Sequence, residues 1–563
     1  DFDASPFYVN SELRVMEGEL AGVSSFGIGG TNVHVILQCG DGLSGRRQAE
    51  SPSLQLLPIS ARTPTALDLA TSQLADHLET HPELALADVA FTLREGRRSF
   101  PHRRIVVAST REEAIAALRN RDAQRTATGA ASSRPTLAFL FPGLGDHYAH
   151  MGWELYCTEP VFRETIDRCA AILGAPDIRD HLYAGKDWRN PVFERTTAEA
   201  KLDLRAMLGK KTAQTEDSPA AAQPAIFVTE YALTELLRSW GIVPDAMLGH
   251  SIGEFTAACV SGVLSLEDAL RVVSARANLI QSRVARGAML AVPLSEDELL
   301  PLLPAGISLG AINTARLCIA SGEEEAIAQL AATLQERGVS AQKLRSTHAY
   351  HSQMMETLVE PLADVLRGVQ LRAPKIPYVS CITGTWITDS EATDPRYWAR
   401  HLCRTVRFHD GLRTLLEDEN RVLFEAGPGQ GLTSHALAAR APNAVIPSMR
   451  WSYGNQSESL MLLRGVGQLW IAGAPHASLA KARRVPLPTY PFERQRYWID
   501  PPSSTTVPAI ARKRTDVADW FYLPTWKPSV RPRHDGTAQG NWLLLGDAMQ
   551  FADELRARGA NII

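Results

Sequence analysis

The stretch Ala246-Met247-Leu248-Gly249-His250-Ser251-Ile252-Gly253-Glu254-Phe255 decides the fold. Its first four residues make a short apolar run, as a buried strand does. Gly249 to Gly253 is a G-x-S-x-G, and Glu254–Val260 reads as a helix. Strand, tight turn and helix in that order are what a nucleophile elbow requires. The two glycines permit a sharp bend that exposes the Ser251 hydroxyl. N–H groups opening the helix then face any oxyanion formed beside it. The plainer reading is a structural turn with Ser251 as helix N-cap.

A hydroxyl nucleophile needs a base. The chain has 15 His, so nearness in sequence does not choose one. His351, in Thr347-His348-Ala349-Tyr350-His351-Ser352-Gln353, stands where the chain leaves a small inserted unit and re-enters the larger one. His348 and His250 are the alternatives, and a surface or core histidine is the bland reading of each. Arg276 lies on the second helix after the elbow, in Val272-Val273-Ser274-Ala275-Arg276-Ala277-Asn278. A guanidinium among apolar and small residues needs an anion. That anion is either a structural carboxylate or a substrate carboxylate held bidentately.

Working outward, Thr136–Phe141 is a continuous apolar run of the kind found in buried parallel strands, and Pro142-Gly143-Leu144-Gly145 follows it. Ala222–Trp240 reads as a helix, and Val422–Glu425 as a strand running into Gly427-Pro428-Gly429. Between them lie six elements: Met289–Val292, Glu296–Leu303, Ile307–Ala311, Cys318–Ala320, Glu324–Arg337 and Ser340–Lys343. Their strand–helix–strand–strand–helix–strand order is the ferredoxin-like pattern. Leu54–Asn120 carries a smaller α/β pattern: strand Leu56–Ile59, helix Thr65–Glu79, strand Arg104–Ala108 and helix Arg111–Arg119. The fold class expected is therefore α/β. A large unit with a parallel-sheet, α/β hydrolase-like core carries an inserted ferredoxin-like subdomain and is flanked by a small α/β domain. Residues 40–53, 121–134 and 501–518 read as linkers, 203–219 as a surface loop and Val485–Asp500 as extended chain. Residues 1–40 end in a Gly-rich turn and a β-branched strand, and Asn541–Asp547 with Phe551–Arg558 makes one βα unit.

At roughly 150 residues per domain, 563 residues suggest about four units. Net charge is −4, which excludes a basic nucleic-acid surface and a long acidic tail. Hydrophobic residues at 45% and charged residues at 21% are ordinary globular values. No run approaches the ~18 apolar residues of a membrane span. Seven Cys form no CxxC pair. That set argues against a disulfide framework or a zinc cluster and suits a reducing, cytoplasmic setting. Asp1 at one end, and a strand-like stop at the other, predict a piece of a longer polypeptide.

These residues together resemble the acyltransferase domain of type I modular polyketide synthases, related to malonyl-CoA:acyl carrier protein transacylases. The resemblance rests on Phe141-Pro142-Gly143-Leu144-Gly145, Gln223-Pro224-Ala225, Gly249–Glu254, Arg276 and His348-Ala349-Tyr350-His351, in the family's order. Ser5–Asn10 and Gly22–Val35 resemble the end of a ketosynthase, and Leu487–Trp498 a post-acyltransferase linker. Phe521–Trp526 and Trp542–Ile563 resemble the opening of a ketoreductase structural half. The resemblance implies these divisions: 1–40 ketosynthase tail, 41–134 ketosynthase–acyltransferase linker domain, 135–440 acyltransferase with the insertion at 287–345, 441–518 post-acyltransferase linker, and 519–563 ketoreductase-like start.

The activity implied is ping-pong transfer of a malonyl unit from malonyl-CoA to the phosphopantetheine thiol of an acyl carrier protein. Ser251 is then the nucleophile and His351 the base. The oxyanion hole is the backbone N–H of Leu144 and Ile252, with Leu144 standing where the family usually has Gln. Arg276 holds the malonyl carboxylate, and Gln223 and Asn313 line the pocket. A main-chain carbonyl near His401 orients the base, at a position where the family usually has Asn or Gln. His348 and Tyr350 resemble the malonyl-type motif His-Ala-Phe-His, and the Tyr350 ring fills space a methyl branch needs. Partners implied are malonyl-CoA, the carrier protein and the rest of the synthase, with no nucleic acid or membrane. Neither a metal nor a cofactor bound by this chain is implied; the ketosynthase and ketoreductase pieces lack their catalytic and NADPH-binding residues. Competing readings are methylmalonyl selectivity, a serine thioesterase or hydrolase, and an inactive scaffold. A hydrolase of α/β type would place an acid between Ser251 and His351 and lack the inserted subdomain.

Overall fold

The computed structural model describes residues 5, 8–9, 20–38, 54–131, 135–193, 218–498, 515–520, 526–528, 539–544 and 549–563. The linkers expected at 40–53 and most of 501–518, residues 203–217 of the loop expected at 203–219, Cys39 and residues 545–548 lie outside them. The chain divides into two compact units, residues 1–493 and 494–563.

In the first unit, β1 (Leu20–Phe26) and β2 (Asn32–Gln38) form an antiparallel hairpin across the Gly-rich turn. A three-stranded antiparallel sheet follows: β3 (Gln55–Ala61), β4 (His102–Ala108) and β5 (Thr126–Ala130), in that spatial order. Strand β5 corrects the reading of 121–134 as linker. Its Thr, Ala and Gly residues carry little apolar signal, yet they complete the sheet by pairing with β4. Both faces of this sheet are covered. Leu57, Ile59, Val106 and Ala108 pack with helices Pro64–Thr80 and Arg111–Asn120. Leu56, Ile105 and Val107 face the other way, into the main core.

The main sheet is parallel and five-stranded. Its first strands are β6 (Thr136–Phe141) and β7 (Ala246–Gly249). The inserted subdomain follows as β8 (Ala288–Val292), β9 (Ser308–Thr314), β10 (Leu317–Gly322) and β11 (Gln342–Lys343). The chain then returns to the main sheet as β12 (Tyr378–Val379), β13 (Arg421–Glu425) and β14 (Val445–Pro447). Spatial order is β12-β7-β6-β13-β14, all parallel. Chain order reverses at β6, so loops leaving β6, β7 and β13 open on one edge at a topological switch point, where α/β sheets bind ligands. The insertion is antiparallel with order β11-β8-β10-β9, the ferredoxin-like topology expected, with helix Glu324–Glu336 as its longest helix.

Helix Glu458–Ala472 packs against β4 and β5 while also supplying Val466, Leu469 and Trp470 to the main core. Beyond it, the extended chain returns to the small sheet's helices. Tyr490 Oη accepts the Arg62 N–H at 3.0 Å, and Glu493 accepts the Thr63 hydroxyl at 2.8 Å. The second unit contains β15 (Asn541–Trp542) and β16 (Asn561–Ile562), parallel to each other, and helix Met549–Ala557. Among the described residues, no helix is long and apolar enough to cross a membrane.

Candidate active site

Gly249 ends β7 and Gly253 opens the helix Gly253–Ser261. A side chain on Gly249 would collide with the backbone of Gly253 and Glu254, and one on Gly253 with the Phe141 carbonyl. Between them Ser251 has φ of 54°, a left-handed conformation sparsely used by non-glycine residues. This bend projects Ser251 Oγ to 2.6 Å from His351 Nε2. His351 also sits at positive φ, 57°, and its Nδ1 lies 2.9 Å from the Arg404 carbonyl oxygen. A carbonyl only accepts, so Nδ1 carries the proton and donates it. Nε2 is then the acceptor for the Ser251 O–H.

The carbonyl expected near His401 is therefore that of Arg404. His401 ends helix Pro395–Arg400, and its fully buried ring faces Glu254 and Cys381 instead. Burial, and then the nearby His401, Arg276 and His250, hold His351 well below the usual imidazole value. It is thus neutral, the form a base requires.

The loop after β6 carries Leu144, one of the two expected oxyanion donors. A side chain on Gly143 would come within 2.8 Å of the His250 carbonyl and 3.5 Å of Ser251 Cβ, so this loop lies directly against the elbow. Among the described residues neither the Leu144 nor the Ile252 N–H has a protein acceptor. The Leu144 side chain packs against the main core.

Arg276 is 1% exposed, on helix Leu266–Arg283. Its guanidinium donates to Gln223 Oε1, and its carbon lies 5.8 Å from the Phe255 ring centroid. Arg276 Nε and Gln223 Nε2 are buried without partners. No carboxylate pairs with Arg276 among the described residues. Burial lowers its pKa to about 10, which leaves it charged at neutral pH. Tyr350, buried beside it, interacts with both Arg276 and Gln223. His348 is buried too, its ring centroid 6.1 Å from that of Tyr350 and its Nδ1 2.9 Å from Thr347 Oγ1. Asn313 meets the site through His250: its Oδ1 lies 2.9 Å from His250 Nε2.

Four participants escaped the sequence reading. Arg404 contributes only its carbonyl, a group every residue has. Glu254, Cys381 and Tyr397 form a buried cluster with His401 behind the elbow, with ligand-type atoms of Glu254, Cys381 and His401 within 4.8 Å of one another. Hydrogen bonds account for the cluster: Glu254 Oε2 accepts the Cys381 N–H at 2.8 Å, and Oε1 accepts the Tyr397 hydroxyl at 2.6 Å. The motif residue Glu254 was the available signal.

A family described as "Acyl transferase domain" matches residues 138–463, and one described as "CurL-like, PKS C-terminal" matches 55–118. The phenolphthiocerol synthesis polyketide synthase type I Pks15/1 of Mycobacterium marinum (strain ATCC BAA-535 / M) is 36% identical over 496 residues, 85% of this chain. This chain spans only 22% of that relative's length. Among solved structures, the acyl transferase domain of ZmaA is 34% identical with a TM-score of 0.68, covering 77% of this chain and 99% of that one. The acyl transferase domain of SpnD, solved with 2-(pent-4-yn-1-yl)malonyl, is 39% identical with a TM-score of 0.66, covering 75% and 98%. This chain belongs to the acyl transferase domain family and is an acyltransferase of the polyketide synthase type.

Proposed function

We propose that this chain transfers a malonyl unit from malonyl-CoA to the phosphopantetheine thiol of an acyl carrier protein, through a malonyl-Ser251 intermediate. The observation that carries the choice of acyl group is Arg276, a charged, buried guanidinium with no carboxylate partner among the described residues and a free Nε. A dicarboxylic acyl group supplies the missing anion, whereas acetyl does not. Gln223 braces the guanidinium. The Tyr350 ring takes space that a methyl branch at the α-carbon needs, which favours malonyl over methylmalonyl.

In the first half-reaction His351 Nε2 takes the Ser251 proton as Oγ bonds to the thioester carbon. The Leu144 and Ile252 N–H groups stabilise the oxyanion. Collapse breaks the C–S bond, and His351 returns the proton to the leaving CoA thiolate. In the second half-reaction His351 deprotonates the carrier thiol, which attacks the ester and frees Ser251. Arg404 holds the imidazole in the required tautomer throughout. We propose the larger setting on the same footing. The chain works in the cytoplasm inside a longer synthase, with residues 1–40 as ketosynthase tail, 41–134 as linker domain, 135–440 as acyltransferase, 441–518 as the following linker and 519–563 as ketoreductase-like start.

Mass spectrometry of the protein mixed with malonyl-CoA tests this reading. The expected result is a single malonyl adduct, absent from Ser251→Ala and discharged by carrier protein. No adduct on the wild type supports a scaffold. Hydrolysis of malonyl-CoA faster than transfer to the carrier supports a thioesterase. An equal or heavier yield with methylmalonyl-CoA overturns the malonyl assignment.

A further inference from the structure

Ser251 and His351 come from opposite sides of the site, and one buried cluster touches the supports of both. Glu254 follows the nucleophile on the same helical turn, its N–H donating to the Ser251 carbonyl at 3.0 Å. Its carboxylate is fully buried and faces His401 Nε2 at 3.4 Å. Burial pushes the Glu254 carboxyl up, but hydrogen bonds from His401, Cys381 and Tyr397 outweigh it and hold the group below the usual carboxylate value. His401 precedes by three residues the Arg404 carbonyl that holds His351 Nδ1. Its ring also meets the His351 ring edge-on, centroids 5.8 Å apart.

We infer that Glu254 and His401 form a buried positioning pair, which fixes the segment holding His351 against the helix that follows Ser251 and so sets both the alignment and the basicity of the base. Neither residue touches substrate. The inference rests on the Ser251–His351 reading above. The titratable or charged groups around His351 are His250 at the elbow, Arg276 from helix Leu266–Arg283, and His401. Cys381, packed against His401, lies behind them. Of the neighbouring groups, His401 depresses His351 most, and the Arg404 carbonyl opposes it more weakly. Removing the His401 ring therefore raises the His351 pKa. His351 acts neutral, so the acid limb of the rate profile then moves to higher pH.

The experiment measures the rate of acylation by malonyl-CoA against pH for wild type, His401→Gln and Glu254→Gln, normalised to active sites counted from the malonyl adduct. Expected for His401→Gln is an acid limb about 1 pH unit higher, a rate at neutral pH ~10-fold lower and an unchanged KM. Glu254→Gln lowers the rate per active site in the same way, again at an unchanged KM. A purely structural pair would lower the count of active sites and leave the limb in place. If a single variant fails to fold, Glu254→Gln/His401→Gln keeps an amide hydrogen bond between the two positions and carries the test. A limb coincident with wild type in folded His401→Gln, or a wild-type rate per active site in folded Glu254→Gln, overturns the inference. Ser251→Ala runs alongside: acylation surviving there overturns the nucleophile reading itself, a separate outcome.

Discussion

Arg276 is held by Gln223 on one side and left open at Nε on the other. A guanidinium keeps its charge under such burial, and the proposed function gives it a substrate carboxylate as its anion. Truncation of one partner in a buried, hydrogen-bonded charge pair costs about 2–5 kcal/mol. Arg276→Ala is therefore expected to slow acylation by malonyl-CoA about 100-fold or more and to raise the acetyl-to-malonyl ratio. Competition between the two thioesters, read by mass of the adduct, checks this; an unchanged ratio would refute the clamp. The base supplies a pH prediction. Burial places His351 well below 6.5. Activity that needs neutral imidazole is lost only as pH falls through that lowered value. Acylation by wild type should accordingly stay flat from pH 7 through 6.5 and decline only well below it, in a stopped-flow measurement of CoA release. At this scale the sequence was informative wherever chemistry needs a particular side chain. Ser251, His351 and Arg276 carry groups few residues offer, and the structure brings them together. Arg404 acts through its main chain, so nothing in its identity could announce it. Nor could the His401 position be read correctly: its side chain serves the cluster with Glu254, while the carbonyl comes from three residues later.

At the scale of elements, the site depends on how closely the helix Gly253–Ser261 approaches the end of β6. Gly253 lets its backbone rest on the Phe141 carbonyl, a rigid neighbour with no side chain to swing away. Gly253→Ala must displace either the elbow or the oxyanion loop. Overpacking of this kind costs about 1–3 kcal/mol, and a shift near 1 Å at the reacting atoms can cost about 100-fold in rate. Urea denaturation and adduct formation should therefore both register the change; wild-type acylation would show that the close approach is dispensable. The same crowding explains why this region was legible: a turn that tolerates only glycine at two places, after an apolar strand, leaves a pattern in sequence. Strands β12 and β14 left none, being two and three residues long and paired to β7 and β13 rather than patterned themselves. Strand β5 was hidden for a different reason. One of its small residues, Gly129, lies under Ile471, where an added side-chain carbon would come within 2.7 Å. Composition therefore suggested a linker in a strand with a close contact at Gly129 and exposed residues at Thr128 and Ala130.

In the first unit, the main core crosses the divisions expected near residues 134 and 440, while the insertion keeps a buried cluster of its own. One buried cluster joins Leu56, Ile105 and Val107 of the small sheet, Phe139 and Phe141 of β6, and Val466, Leu469 and Trp470 of helix Glu458–Ala472. That helix can serve both neighbours because Gly467 lets it close on the small sheet: an added Cβ there would lie 2.6 Å from Ile105 Cδ1 and 3.0 Å from Leu56 Cδ1. Gly465 does the same on the side of β14, its added Cβ 3.0 Å from the Pro447 carbonyl. A core shared in this way should melt as a unit, since neither side can expose its half of the helix without losing apolar burial on the other. Differential scanning calorimetry of residues 54–493 is expected to show a single transition for wild type. Gly467→Leu forces the helix off the small sheet and should lower that transition by several degrees, as ~1–3 kcal/mol of overpacking would in a chain of this size. Gly467 is remote in the chain from the Ser251–His351 pair, and the elbow is built on β6 and β7. Below the transition, then, Gly467→Leu should acylate at the wild-type rate. Two resolved transitions in the wild type would mean the small sheet folds on its own, and the shared helix would then be a contact between independent domains.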